Sequence, residues 1–369
     1  MTSQMRERSA KLPRVQRASE NPIITPASVR PSRPDLAVVG AFNPGVARHN
    51  GEVVLLLRVA EAPADVPDGE VAAATYDVRS GEVLVRRWRR DAPGVDASDP
   101  RMIVADGQSW LTSISHLRLA RSADGIHFDI DAAAALSPRS EYEAFGIEDA
   151  RITRIDDTYW VDYTAVSSHG IATALASTRD FAKFERHGLI FPPNNRDVAI
   201  FPERMAGRWV ALHRPMPSGL GTTAIWLASS PDLIAWGDHR VVVEPRAGMW
   251  DDVKIGGGAV PFRVRAGGRD AWLAVYHGVT GSPHRYALGA LLLDANDPSR
   301  VLGRSREPIL EPDAPYEKSG FFAEVVFTCG LLPPNDDATD GTVRLYYGAA
   351  DGVTAVADLS LAEILAGLE

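Results

Sequence analysis

The sequence predicts an all-β protein assembled from a repeated multi-strand unit. Three observations predict it. Most apolar segments are short, β-branched or aromatic, and are bounded by Gly, Pro, Asp and Asn. A similar succession of strands returns at intervals of roughly 50 to 65 residues, close to the period of propeller blades. Helical spacing is scarce, and Leu359 to Leu368, with Leu361, Ile364 and Leu365 on one face, is the best helix candidate.

The unit reads as a strand, a Gly/Asp turn, an aromatic-rich strand, and a third strand ending in a Ser-x-Asp-like turn. Near the N-terminus, Val39 to Val46 with Val53 to Val59 looks like one unit, and Arg101 to Val104, Trp110 to Ile114 and Leu117 to Arg121 like another. Clearer copies follow. The first is Ile152–Ile155, Tyr159–Tyr163 and Ala174–Ser177, and the second is Val198–Phe201, Arg208–Leu212 and Ala224–Ser230. The third is Gly258–Phe262, Ala271–Tyr276 and Ala287–Leu293, and the last is Val325–Cys329, Val343–Tyr347 and Ala355–Ala357. The residues alone admit six blades, or five with an insertion near Ala64 to Asp99.

The chain has 369 residues, 45% hydrophobic and 24% charged, an ordinary globular composition. A net charge of −9 argues against nucleic acid or an anionic membrane as partner. No apolar run approaches a membrane span. Arg6, Arg8, Lys11, Arg14 and Arg17 have no apolar region after them, so they do not read as a secretory signal. Residues 1–20 are expected to be a basic, partly disordered tail or an oligomer arm, and residues 21–369 a single β-propeller domain. A cytoplasmic location is expected, and a homo-oligomer is left open. The single cysteine, Cys329, sits in a strand-like run and reads as a small buried hydrophobe.

The acidic pair in Gly146-Ile147-Glu148-Asp149-Ala150-Arg151-Ile152 is the strongest local signal. In a regular strand neighbouring side chains face opposite ways, so only one of Glu148 and Asp149 is expected to look into a given pocket. A propeller brings equivalent points of successive units to one channel mouth. Those points carry Asn43, Asp149, Arg196 with Asp197, Lys254 and Glu324, and second-strand ends add Arg58, Arg214 and His277. A guanidinium closing a buried strand, as Arg58 and Arg214 do, is either a core ion pair or a ligand contact. Arg196, Arg214, Lys254 and His277 together point to a site for a small anion. Gly256-Gly257-Gly258 does not have the order of a phosphate-binding Walker loop and reads as tight backbone packing. No metal-binding or serine-nucleophile spacing is present. One acid and an anion site point to group transfer to phosphate.

The chain resembles glycoside hydrolase family 130, the inverting β-mannoside phosphorylases. The resemblance runs from about Asn21 onward and rests on an ordered set of motifs. These include Asn21-Pro22-Ile23-Ile24-Thr25-Pro26, Phe42-Asn43-Pro44-Gly45, Leu57-Arg58-Val59-Ala60-Glu61, Gly146 to Ile152 and Phe201-Pro202-Glu203. Leu212-His213-Arg214-Pro215, Tyr276-His277-Gly278 and Val325 to Gly330 complete it. Ser98-Asp99-Pro100-Arg101-Met102-Ile103 and Gly320-Phe321-Phe322 are most similar to the branch acting on β-1,2-linked mannose.

The resemblance implies a five-bladed β-propeller with an insertion near the N-terminal blade and a short C-terminal helix. It implies Asp149 as general acid, relaying its proton through the mannosyl 3-hydroxyl while phosphate attacks from the opposite face. Arg196, Arg214, Lys254 and His277 would hold phosphate, and Asn43, Arg58, Tyr276 and Glu324 the mannoside. Glu324 stands where the family has an aspartate. Hydrolytic members lose the basic set, and this chain keeps it. The expected substrates are a β-1,2-mannoside and inorganic phosphate, with no metal and no cofactor. The alternatives are a β-1,4-mannoside phosphorylase, a β-mannosidase using water, or a carbohydrate-binding scaffold. Of Phe321 and Phe322, at most one is expected to face the pocket if they lie in a strand.

Overall fold

The computed structural model describes residues 13–334 and 341–369, and its architecture is all-β with few helices. Residues 1–12 of the expected tail lie outside the described residues. Residues 13–20 do not form a free tail. Val15–Arg17 pairs antiparallel with the strand Val353–Ser360, matching Val15 to Leu359 and Arg17 to Ala357. Arg17 is further tied to buried Glu317 by bonds of 2.8 and 3.0 Å.

Five antiparallel units follow one another along the chain. The first contains Leu36–His49, Glu52–Pro63, Ile114–Ser122 and Asp129–Leu136. The second contains Gly146–Ile155, Thr158–Ser167, Gly170–Thr178 and Glu185–Phe191, and meets the first through a parallel contact of Gly146 with Ser115. Asn195–Ile200, Trp209–Pro215, Ile225–Ser230 and Gly237–Val243 form the third. In the fourth, Lys254–Gly257 and Phe262–Ala266 both pair with Arg269–Gly281, followed by His284–Asp294 and Val301–Arg304. The last contains Val326–Leu332, Thr342–Ala349 and Val353–Ser360, and Val15–Arg17 supplies its outer edge.

Alternation explains why the runs are so continuously apolar. In Glu52–Pro63, Val53, Leu55, Leu57 and Val59 enter one core with Ile24 and Ala41. Val54 and Leu56 enter another, with Leu117, Ile147 and Val161. Each face of the sheet is covered by a different neighbour, so both faces must be hydrophobic. Each fully buried leucine here contributes about 1.5–3 kcal/mol.

The ambiguity near the N-terminus resolves into an insertion. Two hairpins, Glu70–Asp77 with Glu82–Arg89 and Met102–Ala105 with Gln108–Leu111, stand between the second and third strands of the first unit. The insertion therefore runs past Asp99 to residue 113. Arg101 to Val104 is not a unit of its own, and Leu117 to Arg121 is the third strand of the first. The predicted C-terminal helix is present as Leu361–Ala366, with the Ser360 side chain accepting from the Glu363 amide at 3.3 Å. Cys329 is buried, and burial lifts its thiol well above the usual range. No helix among the described residues is long and apolar enough to cross a membrane.

Candidate active site

Four of the five first strands carry an irregularity at equivalent places. Register shifts fall between Phe42 and Gly45, Glu148 and Arg151, Arg196 and Ala199, and Phe327 and Gly330. In the first three the inserted residue has a left-handed backbone: Asn43 at φ 48°, Asp149 at φ 50° and Asp197 at φ 56°. Asn and Asp tolerate this region better than other non-glycine residues. The bulge breaks the alternation of side chains and aims three polar groups at one cavity.

That inner cavity, of about 230 Å³, is lined by Asn43, Arg58, Arg101, Asp149, Arg196, Asp197, Arg214, Lys254, His277, Tyr286, Phe322, Val325, Phe327 and Asp351. An outer cavity of about 380 Å³ adjoins it and shares Arg58, Arg101, Arg196 and Asp351. Seven of the nine predicted site residues thus meet in one place: Asn43, Arg58, Asp149, Arg196, Arg214, Lys254 and His277.

Asp149 is held through one oxygen. Asn43 Nδ2 and Arg58 Nη1 both donate to Oδ1 at 3.0 Å. Among the described residues no donor reaches Oδ2. The second arm of Arg58, Nη2, donates to Glu148 Oε1 at 2.8 Å. Glu148 lines the outer cavity and Asp149 the inner one. Each cavity thus receives one carboxylate of the pair, as expected, although a bulge follows Glu148 and the alternation there is not that of a regular strand.

The basic groups are only partly engaged by protein carboxylates, Arg196 Nη2 lying 3.8 Å from Glu148 Oε2 and His277 Nε2 3.7 Å from Asp197 Oδ2. Arg214 Nε donates to Asp197 Oδ2 at 2.6 Å, but no acceptor among the described residues reaches its terminal nitrogens. Arg196 Nε and His277 Nδ1 are buried without a hydrogen-bond partner among the described residues. Lys254 Nζ lies 4.9 Å above the Tyr286 ring and makes no hydrogen bond among the described residues. Burial, then the charges of Arg214 and Arg196, push the Lys254 ammonium down to about 8. Burial also pushes His277 down to about 3, against the pull of Asp197, so His277 is neutral near pH 7. Burial would raise the Asp197 carboxyl, but Arg214, His277, Arg151 and Arg196 together hold it well below the usual range.

The glycine run is packing, as predicted. A Cβ on Gly256 would lie 2.5 Å from Asp197 Oδ2 and 2.7 Å from Arg214 Nε, and one on Gly257 would lie 2.7 Å from the Asp197 carbonyl. The carbonyls of Gly257 and Gly258 accept from buried Arg151 at 2.9 and 2.5 Å.

Two predicted contacts are corrected. Tyr276 precedes His277 in a regular strand and so points to the opposite side. It is buried against Trp250, and its hydroxyl donates to Asp251 Oδ2 at 2.7 Å. Glu324 lines neither cavity. At φ 60° it turns the chain so that Val325 and Phe327 face inward. The acidic residue that does line both cavities is Asp351, in the turn after Thr342–Ala349. Burial pushes its carboxyl up to about 6, Arg58 opposing and Asp149 and Glu148 adding to the rise.

Arg101 was also missed as a site residue. The inserted segment delivers it to both cavities, clamped by Asp99 at 3.0 and 2.8 Å and stacked 4.9 Å over Phe322. Phe321 lines the outer cavity and Phe322 the inner one. They lie outside any strand, so alternation does not separate them.

A family profile described as beta-1,4-mannooligosaccharide phosphorylase, that of glycoside hydrolase family 130, matches residues 100–369. The chain belongs to glycoside hydrolase family 130. Within the family it is 48% identical over 359 residues to a beta-1,2-mannobiose phosphorylase of Listeria innocua, covering 96% of this chain and 98% of that one. It is 37% identical to a 1,2-beta-oligomannan phosphorylase of a Thermoanaerobacter species, over 68% of this chain and 80% of the other. The solved structure of the Listeria innocua enzyme with beta-1,2-mannobiose superposes with a TM-score of 0.89, covering 95% of this chain and 98% of that one. The family profile and the 48% identical phosphorylase together make the chain a glycoside phosphorylase by class.

Proposed function

We propose that this family 130 protein is an inverting phosphorylase of β-1,2-linked mannobiose or short β-1,2-oligomannans. It releases α-mannose 1-phosphate and mannose or a shortened acceptor, and the reaction is reversible. The observation that carries this reading is the convergence of Arg196, Arg214, Lys254 and His277, each with nitrogens that no acceptor among the described residues reaches, on the cavity that holds Asp149. A hydrolase has no use for that set. A pure binding protein has no use for it beside a carboxyl with one oxygen pinned and the other open. The Listeria innocua relative supports the β-1,2 linkage.

In this reading the five units are the blades of a β-propeller, and Val15–Arg17 closes the ring onto the last blade. Phosphate is seated by the four basic groups and attacks the anomeric carbon from the face opposite the leaving sugar. The bond from that carbon to the glycosidic oxygen breaks as the new carbon–phosphate oxygen bond forms. The leaving oxygen takes a proton from Asp149 by way of the mannosyl 3-hydroxyl. The proton starts on Oδ2, the oxygen that no donor among the described residues reaches. Once it has left, Asn43 and Arg58 stabilise the carboxylate through Oδ1. Asn43, Arg58 and Asp351 hold the mannosyl unit, Asp351 taking the role first expected of Glu324. Inorganic phosphate is the second substrate, and the chemistry draws on no cofactor.

The test is synthesis in reverse. The protein is incubated with α-mannose 1-phosphate and mannose, and the product linkage is read by NMR. A β-1,2-mannobiose supports the reading. A β-1,4 product overturns the linkage, and the absence of any disaccharide, with water-driven hydrolysis instead, overturns phosphorolysis.

A further inference from the structure

A carboxylate is an unfavourable neighbour for an anion, yet Asp197 stands in the wall of the anion cavity, only 3% exposed. Its contacts explain the choice. Oδ2 accepts from Arg214 Nε at 2.6 Å and lies 3.7 Å from His277 Nε2. Oδ1 lies 3.4 Å from Arg151 Nη2. Arg151 in turn holds the carbonyls of Gly257 and Gly258, and more loosely that of Asp149 at 3.4 Å. The bulge at Asp197 and the missing side chain at Gly256 are both needed to admit this carboxylate.

We propose that Asp197 is the positioning residue of the anion site. It occupies the Nε edge of Arg214, so the terminal nitrogens of that guanidinium can only face the cavity. A planar fork fixed on one edge presents a set direction to a phosphate oxygen, whereas a free one must be ordered on binding. Asp197 acts on phosphate through Arg214 and His277 and does not touch it. The proposal rests on the phosphorylase reading given above.

Two effects of removing the charge oppose each other, and their opposition makes the test decisive. Asp197→Asn leaves one more net positive charge beside the anion, which alone would tighten phosphate binding. It also weakens the hold on Arg214, which loosens it. If positioning dominates, the KM for phosphate rises by about fivefold or more while that for β-1,2-mannobiose stays within about twofold. In an Arg214→Ala background the same substitution adds less than about twofold, because the two residues act as a unit. An unchanged or lowered phosphate KM in D197N, or full additivity with R214A, overturns the proposal.

Phosphate saturation of the unaltered enzyme is measured first, since its absence would sink the phosphorylase reading and not the role of Asp197. In that event the rise in Tm on adding inorganic phosphate is compared across the same variants. It is reduced in D197N if Asp197 positions the site and unaltered if it does not. Should D197N fail to fold, Arg214→Lys decides. It keeps the charge and loses the fixed fork, so a phosphate KM near that of the unaltered enzyme would overturn the proposal, and one near that of R214A supports it.

Discussion

Arg58 Nη1 donates to Asp149 Oδ1 at 3.0 Å, joining residues 91 positions apart in sequence. The same guanidinium holds Glu148, so the acid is fixed by a strand of the preceding unit. The site is therefore assembled only when the first two units have packed together.

Asp149→Asn should lower kcat by a factor of about 10² to 10⁴, the usual worth of a placed proton donor. Circular dichroism and Tm should stay close to those of the unaltered protein. Retention of more than about a tenth of the activity would move the acid role to Glu148, which shares the Arg58 guanidinium.

Arg214→Ala should raise the phosphate KM by about tenfold or more, since a charge-assisted hydrogen bond is worth about 1.5–3 kcal/mol. The mannobiose KM should change far less. Equal rises in both would place Arg214 outside the phosphate contact.

Lys254, pushed down to about 8, carries its charge below that pH and loses it above. The phosphate KM should therefore climb as the pH is raised through 8. Lys254→Arg, charged throughout, should flatten the climb. A flat profile in the unaltered enzyme would show that Lys254 does not bind the anion. On the acid side, Asp351 takes up its proton near 6, and kcat/KM for the mannoside should fall as the pH drops through that value.

Tyr276→Phe should leave both KM values within about twofold while lowering stability by about 1–3 kcal/mol, because it removes a buried hydroxyl bonded to Asp251 and Arg304. A selective loss of mannoside affinity would restore Tyr276 to the sugar site.

For linkage, β-1,2-mannobiose should be phosphorolysed with a higher kcat/KM than β-1,4-mannobiose. Phe321 lines the outer cavity, where such a ring can pack on the apolar face of a sugar. The opposite preference would leave the family assignment standing and remove the branch assignment.

Much of this was legible in the sequence. The strands announced themselves because alternate residues feed two different cores, which makes the runs apolar on both faces. Asp149, Arg196, Arg214, Lys254 and His277 were visible as polar residues at equivalent points of a repeat. Tyr276 was misplaced although the rule that excludes it is elementary: if His277 faces the cavity, its neighbour in a regular strand cannot. The same rule holds in outcome for Glu148 and Asp149, one carboxylate to each cavity, although a bulge that only backbone angles reveal follows Glu148. Asp351 gave no signal, because Ala350-Asp351-Gly352 reads as an ordinary hairpin turn. Arg101 stood in a segment whose strands resemble those of a repeat, and only their pairing marks it as an insertion.

The pairing of Val15–Arg17 with Val353–Ser360 bears on how the protein should be handled. A version trimmed to begin at residue 21 would keep every residue of the catalytic cavity and lose three paired residues at the rim. Its final sheet would then present a row of unsatisfied amides and carbonyls along residues 357–359, a template for a strand from another copy. Such a trimmed enzyme should retain its turnover per folded molecule yet precipitate on storage. Restoring the missing strand as a separate peptide should suppress that loss.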